Sequence, residues 1–362
     1  MAHSSRALLS LCSCFCGVVP RDADWIALLA LANHTWTTPA LMNLVRSQRA
    51  AIPDDVAGFI EELHTRSAIR SDRMAAQLEE AVLALNSSGI TPVLVKGTAL
   101  LATCSPSDRA LRLMSDLDIV VRPDEIEGAI KALAGIGYIV DYESNRLLTK
   151  WYVDLSRPHD VGMIDLHEAL PGEAFLDQSA DELHSSLHPV SFGAARALVP
   201  SRELQALVLV LHDQFQDHDY WTGSIDLRHL LDLRDLFAAP PGIREEAMNA
   251  LASSGLVRNA VEAQRLLLSR LLGLGWPAGR PQRLAPRVQV WRQLLRARHP
   301  LLRVLVLPLG LVNLPSYRAQ TRVRIPASVS DTPPQARKGW LPKFGHLLFL
   351  LSLSGRHRVG KL

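Results

Sequence analysis

The chain is short of cysteine, with four in 362 residues. Cys12, Cys14 and Cys16 alternate within one short segment and Cys104 stands alone. No Cys-x-x-Cys metal spacing exists, and four cysteines make no disulfide framework in a chain this long. Also missing is any run of the roughly 18 to 20 apolar residues needed to cross a bilayer. Leu301 to Leu314 is broken by Arg303, Pro308 and Gly310, and His346 to Leu353 is too short. Charge of one sign is scarce too: 39 Lys and Arg face 36 Asp and Glu, a net of +3. That balance is too even to make nucleic acid the main partner. A composition 48% hydrophobic and 21% charged is globular rather than disordered. Ala7 to Val19 has the size of a signal-peptide apolar region, but it reads more simply as the start of a first helical bundle.

What is present centres on Arg112-Leu113-Met114-Ser115-Asp116-Leu117-Asp118-Ile119-Val120-Val121, a run that reads as a strand. Successive strand side chains point to opposite faces, so Asp116 and Asp118 share one face while Leu117, Ile119 and Val121 share the other. Two neighbouring carboxylates repel, and Asp suits strands poorly. A divalent metal would offset that cost; a solvated strand end is the blander account. Oxygen-only ligands favour Mg²⁺ or Mn²⁺, with substrate phosphates completing the shell, which makes phosphoryl or nucleotidyl transfer the leading chemistry.

Upstream, Thr91 to Val95 reads as a buried strand that ends at Lys96-Gly97-Thr98 before an apolar helix-like stretch. Strand, small-residue turn and helix present backbone N–H groups to an anion. Gly97 permits close approach, Thr98 can cap or donate to phosphate, and Lys96 supplies a point charge. Downstream, Val161 to His167 is strand-like, and its Asp165 and His167 share a face.

Lys96-Gly97, the Arg112 to Asp118 motif and Asp165-Leu166-His167 together resemble a poorly characterised bacterial nucleotidyltransferase family of the DNA polymerase β superfamily. Its pattern is LKG, R-x-M-x-D-x-D and a later D-L-H. Asp24-Trp25, the Gly135 to Tyr138 segment, and Leu211-His212 with Trp221 extend the resemblance over roughly residues 20 to 240. The wider superfamily has Gly-Ser or Gly-Gly and a shorter run before its first aspartate, whereas Pro106 lies in a longer insertion here. The resemblance implies two-metal nucleotidyl transfer from an NTP, ATP among the candidates, to a hydroxyl acceptor. It implies metal binding by Asp116, Asp118 and Asp165, and phosphate or substrate contacts by Lys96, Gly97, Thr98, Arg112, Ser115 and His167. Arg112 also has an ion-pair reading, orienting a metal-binding carboxylate. His167 can act as an acid or donor to substrate, or as a hydrogen-bonded partner of Asp165.

The expected architecture is α+β: a minimal nucleotidyltransferase domain at 89–200, between a helical region at 1–88 and a helical region with a basic tail at 201–362. Helices are expected over Asp24 to Ala32, Ile69 to Leu85 and Pro123 to Ala134, and from Arg202 onward. Strands are expected over Tyr138 to Tyr142, Leu147 to Leu155 and Val161 to His167. His212, Asp213, Asp217, His218 and Asp219 fit no zinc motif well and read as loop and cap residues, or as a polar rim to the cleft. A cytoplasmic location is expected for a nucleotide-using site. The acceptor is open among small molecules, saccharide precursors, proteins and RNA. The basic C-terminal third could touch a membrane surface or another protein. Rival readings are a toxin-like nucleotidyltransferase of a toxin–antitoxin pair, and an NTP-binding assembly module without turnover.

Overall fold

The structure is a computed structural model that describes residues 2–144, 151–252, 254–277, 281–299 and 361. The Leu301 to Leu314 and His346 to Leu353 runs and most of the basic tail lie outside them. Helices come first: α1 (Ala2–Phe15), α2 (Trp25–His34), α3 (Met42–Gln48) and the 34-residue α4 (Asp54–Ser87). Asp24 caps α2 by accepting from the Ala27 amide at 3.0 Å, which satisfies an otherwise unpaired donor. The helix expected over Ile69 to Leu85 is the C-terminal half of α4. At about 1.5 Å per residue α4 is roughly 50 Å long, long enough to serve two cores.

Next come β1 (Val93–Leu94), α5 (Lys96–Thr103), α6 (Pro106–Arg109), β2 (Asp116–Val120), α7 (Ile126–Ala134), β3 (Ile139–Glu143), β4 (Tyr152–Ser156) and β5 (Met163–His167). Then follow α8 (Ala180–Ser185), the hairpin of β6 (Leu187–Phe192) and β7 (Ala195–Pro200), and the helices α9 (Arg202–Leu211), α10 (Asp219–Thr222), α11 (Leu227–Ala238), α12 (Glu245–Leu251), α13 (Gly255–Leu272) and α14 (Leu284–Arg298). The strands form one mixed sheet in the order β3-β4-β5-β2-β1-β7-β6. β2 runs parallel to β5, with Asp118 beside Asp165 and Val120 beside His167. β1 is antiparallel to β2 and parallel to β7.

Two differences from the sequence-based expectation affect the site. The strand expected from Arg112 starts only at Asp116, because its partner β5 starts at Met163 and leaves Leu113 to Ser115 nothing to pair with. Arg112 therefore lies in the turn before the strand, not on the strand face of the aspartates. The β6–β7 hairpin adds two strands that sequence reading did not assign, one of which pairs with β1.

One apolar cluster fills the sheet face that carries Leu117, Ile119 and Ile164 and is covered by Met74, Leu78 and Leu85 of α4. A second holds the N-terminal and C-terminal helices together, from Leu11 and Leu28 through Trp221 to Leu267. Val56, Ala57 and Ile60 put the other end of α4 in this second cluster. So does Val120, two residues beyond Asp118 on the same strand face, so the aspartates sit where the second cluster begins. Among the described residues no helix is long and apolar enough to cross a membrane. Leu117 is fully buried, so Leu117→Ala should lower unfolding free energy by about 2–5 kcal/mol in urea titration. A loss under about 1 kcal/mol would mean that β2 is not packed as described.

Candidate active site

Lys96 has a φ of 51°, a left-handed conformation costly for a residue with a Cβ. This turn ends β1, starts α5 and carries the Lys96 ammonium to 2.5 Å from Asp118 Oδ1. The next residue must be small: a Cβ on Gly97 would collide with the Arg112 guanidinium. Thr98 is fully buried and its hydroxyl oxygen accepts from the Asp118 amide at 2.7 Å, so it ties α5 to β2. Ser115 donates to Asp116 Oδ1 at 3.1 Å.

Asp118 is 3% exposed, and its Oδ1 also lies 3.2 Å from His167 Nε2. His167 thus meets Asp118 rather than Asp165; the parallel register sets it beside Val120, two positions beyond Asp118 on the same face. Arg112 forms a bidentate pair with Asp232 of α11 at 2.9 Å from Nε and Nη2, not with a carboxylate of β2. Burial opposes ionisation of Asp118, but the charges of Lys96 and His167 outweigh it and hold the carboxyl well below its usual range. Burial and repulsion from Asp118 and Asp116 push Asp165 up to about 8. Lys96 is desolvated by burial, yet the three aspartates raise its pKa, so it stays charged.

The helical side completes the cleft. After α9 the chain makes a π-helical turn over His212–Gln216, which brings His212 and Asp213 inward. Asp213 Oδ1 lies 2.5 Å from His229 Nδ1 and 3.5 Å from His212 Nδ1. Lys361 bridges Asp217 and Asp219, both at 2.7 Å, and pairs as an isolated β-bridge with Asp226. A cavity of about 260 Å³ is bounded on the sheet side by Lys96, Gly97, Asp116, Asp118 and Asp165 and on the helical side by Trp36, His212, Arg228 and Lys361. Arg228 places its guanidinium 5.1 Å from the Trp36 ring centroid and donates to Leu113 O at 3.3 Å.

Lys96, Gly97, Arg112, Ser115 and the three aspartates thus converge on one cavity. Thr98 and His167 lie behind it and hold Asp118. His212 and Asp217 do rim the cleft, while Asp213 and Asp219 are buried beneath it. Sequence reading missed Trp36, Asp226, Arg228, His229, Asp232 and Lys361. The available signals were Asp226 as the cap of α11 and charged residues within the apolar stripe of that helix.

The chemistry of the donor set tests whether a divalent ion fits. Ligand atoms of Asp118, Asp165 and His167 lie within 4.8 Å of one another, and Asp116 lines the same cavity. Besides burial, the charges of Asp118 and Asp116 outweigh that of Lys96 at Asp165. Such an oxygen-rich set suits Mg²⁺ or Mn²⁺. A second group within the same spacing, His212, Asp213 and His229, is already knit by its own hydrogen bonds.

Three carboxylates on adjacent parallel strands thus face a Lys-Gly-Thr turn that opens a helix. The family model described as "Uncharacterised nucleotidyltransferase" matches residues 21–273, and the chain belongs to that family. Among solved structures, the antibiotic-resistance factor ANT(2'')-Ia is similar at 12% identity, over 54% of this chain and 95% of that one, with a TM-score of 0.34. No curated protein matches the chain. The family supports nucleotidyl transfer as the reaction class.

Two outcomes test this geometry. Lys96→Met should destabilise the fold by about 3–5 kcal/mol in urea titration, since it strands the buried Asp118 charge. Burial lowers the His229 pKa, but Asp213 and Asp226 outweigh that and raise it above its ordinary 6.5. Its stabilising effect is therefore full below about pH 6.5 and is lost as pH rises through the raised value. The stability gap between wild type and His229→Gln should narrow as pH rises above about 6.5.

Proposed function

We propose that this protein transfers an NMP unit from an NTP to a hydroxyl-bearing acceptor and releases pyrophosphate. The observation that carries the reading is the cross-strand pairing of Asp118 with Asp165, beside Asp116 and opposite the turn at Lys96. A site that only held an NTP would have no need of a third carboxylate on the neighbouring strand.

Lys96 and Gly97, at the N-terminus of the eight-residue α5, receive the β- and γ-phosphates. Arg112, fixed against Gly97 by Asp232, adds a second cation from the same side. Asp116, Asp118 and Asp165 would hold the divalent ions, which supply charge neutralisation on the phosphates and acidify the acceptor hydroxyl. His167 and Thr98 keep Asp118 in place through its carboxylate and its amide. The acceptor oxygen bonds to the α-phosphorus and the bond from that phosphorus to the bridging oxygen breaks. The hydroxyl proton passes to the Asp165 carboxylate, and pyrophosphate departs toward α5.

The test is pyrophosphate release and label transfer from each of the four labelled NTPs with Mg²⁺ or Mn²⁺ in cell extract. Asp116→Asn, Asp118→Asn and Asp165→Asn should each lower transfer by about 100-fold or more, because each removes several kcal/mol of charge stabilisation. Transfer that survives all three substitutions would overturn the assignment. Metal-dependent NTP binding without transfer would move the binding-module reading ahead.

A further inference from the structure

A second, larger cavity of about 640 Å³ adjoins the cleft and shares Trp36, Arg112 and Arg228 with it. Its walls come from Asn43 after Trp36, Leu100 and Leu111 around α5 and α6, and Leu231 of α11. That volume is in the range of small-molecule sites, and apolar side chains such as Leu100, Leu111 and Leu231 share the lining with at least as many polar ones, among them Arg109, Arg112, Arg228 and Asp232. The cleft of about 260 Å³ leaves the rest of a nucleotide to be housed elsewhere. We propose that the larger cavity receives the nucleoside of a purine nucleoside triphosphate, with the Trp36–Arg228 pair as its stacking surface. The inference rests on the NTP reading of the cleft and assigns the part of the substrate which that reading leaves unplaced.

The stereochemistry of displacement separates this occupant from the acceptor. An in-line reaction places the incoming oxygen and the departing pyrophosphate on opposite sides of the α-phosphorus. Pyrophosphate belongs at the Lys96–Gly97 turn, on the β1 side of β2. Asp165 lies on β5, the neighbour of β2 on the other side, so the acceptor approaches from there. The larger cavity follows α5, through Leu100, Leu101 and Thr103, and is therefore on the pyrophosphate side of β2. The nucleoside is the remaining substituent of that phosphorus and is free to point along α5 toward α11.

Trp36 carries a second sign of function. Its φ of 57° puts a bulky aromatic residue in the left-handed region, a strained state that persists where surrounding structure enforces it. The strain leaves the half-buried ring at the junction of the two cavities, with the Arg228 guanidinium 5.1 Å from its centroid. A planar aromatic ring and a planar guanidinium offer π-stacking to a base, and the gain grows with ring area. That favours the two-ring purines over pyrimidines.

Calorimetric titration of the full chain with ATP, GTP, CTP, UTP and inorganic tripolyphosphate, each with Mg²⁺, tests the assignment. ATP or GTP should bind about tenfold or more tighter than CTP, UTP and tripolyphosphate, a difference the size of one base stacked on an aromatic side chain. Asn43→Trp, at an exposed wall position, and Leu100→Trp fill the cavity. Each should weaken the purine nucleotide about tenfold and leave tripolyphosphate affinity unchanged. Thermal melts of both variants report whether they fold, and the exposed Asn43 position keeps the test usable if Leu100→Trp does not. Equal binding of all five ligands, or purine affinity untouched in a folded Asn43→Trp, would overturn the nucleoside assignment while the NTP cleft stands. If neither tripolyphosphate nor any NTP binds, the NTP reading falls and this inference falls with it.

Discussion

Three carboxylates gathered at one end of a parallel strand pair are the constraint around which the rest is arranged. Asp118 and Asp165 lie directly side by side on β2 and β5, and in a low-dielectric setting like charges at that spacing resist joint ionisation. The fold answers with Lys96, delivered by a strained backbone turn to the oxygen of Asp118 that His167 also approaches. Lys96 satisfies Asp118 but not Asp165, whose carboxyl remains raised. The imbalance leaves a place for further positive charge.

The helical layer contributes rigidity on the opposite side of the cleft. Arg112 spans from the turn before β2 to Asp232 on α11, with side chains 14% and 7% exposed. A buried ion pair adds little net stability, because desolvation cancels most of the attraction, yet removing one partner is strongly unfavourable. The pair therefore acts as a strut of fixed length between sheet and helices. Gly97 is the residue that makes room for it, and the Lys96–Gly97 turn, the strut and α11 form one mechanical unit.

Much of this was legible from local pattern. The alternation of Asp116, Leu117, Asp118 and Ile119 states a strand with one charged and one apolar face, and the structure agrees in face and in burial of the apolar set. The Lys96-Gly97-Thr98 turn was visible because glycine after an apolar run marks a break. Partner choice was not legible. Whether Arg112 meets Asp116 or Asp232, and whether His167 meets Asp165 or Asp118, depends on the register of β5 and the placement of α11, set by contacts far apart in sequence. The β6–β7 hairpin escaped notice because Pro189 interrupts its first strand, and proline inside such a run speaks against a strand unless it lies at an edge, where β6 is. Lys361 could not have been anticipated, since nothing near it in sequence hints at carboxylates more than 140 residues away.

The acids of the helical side show why the two charge clusters of the cleft stay separate. Asp217 and Asp219 share one cation, Lys361, and Asp213 is paired with His229, so ion pairs hold the acids of this group in place. Burial raises Asp219 to about 7 even against the Lys361 charge, and Lys361 is itself held well above its usual range by the surrounding aspartates. Acids held against a cation a few ångström away exert a reduced long-range pull, because opposite charges that close partly cancel beyond that distance. On β2 and β5, burial and the charges of Asp118 and Asp116 outweigh Lys96 at Asp165. Aspartates therefore lie on both sides of the cavity, and each side brings its own lysine, Lys96 at the sheet and Lys361 at the helices.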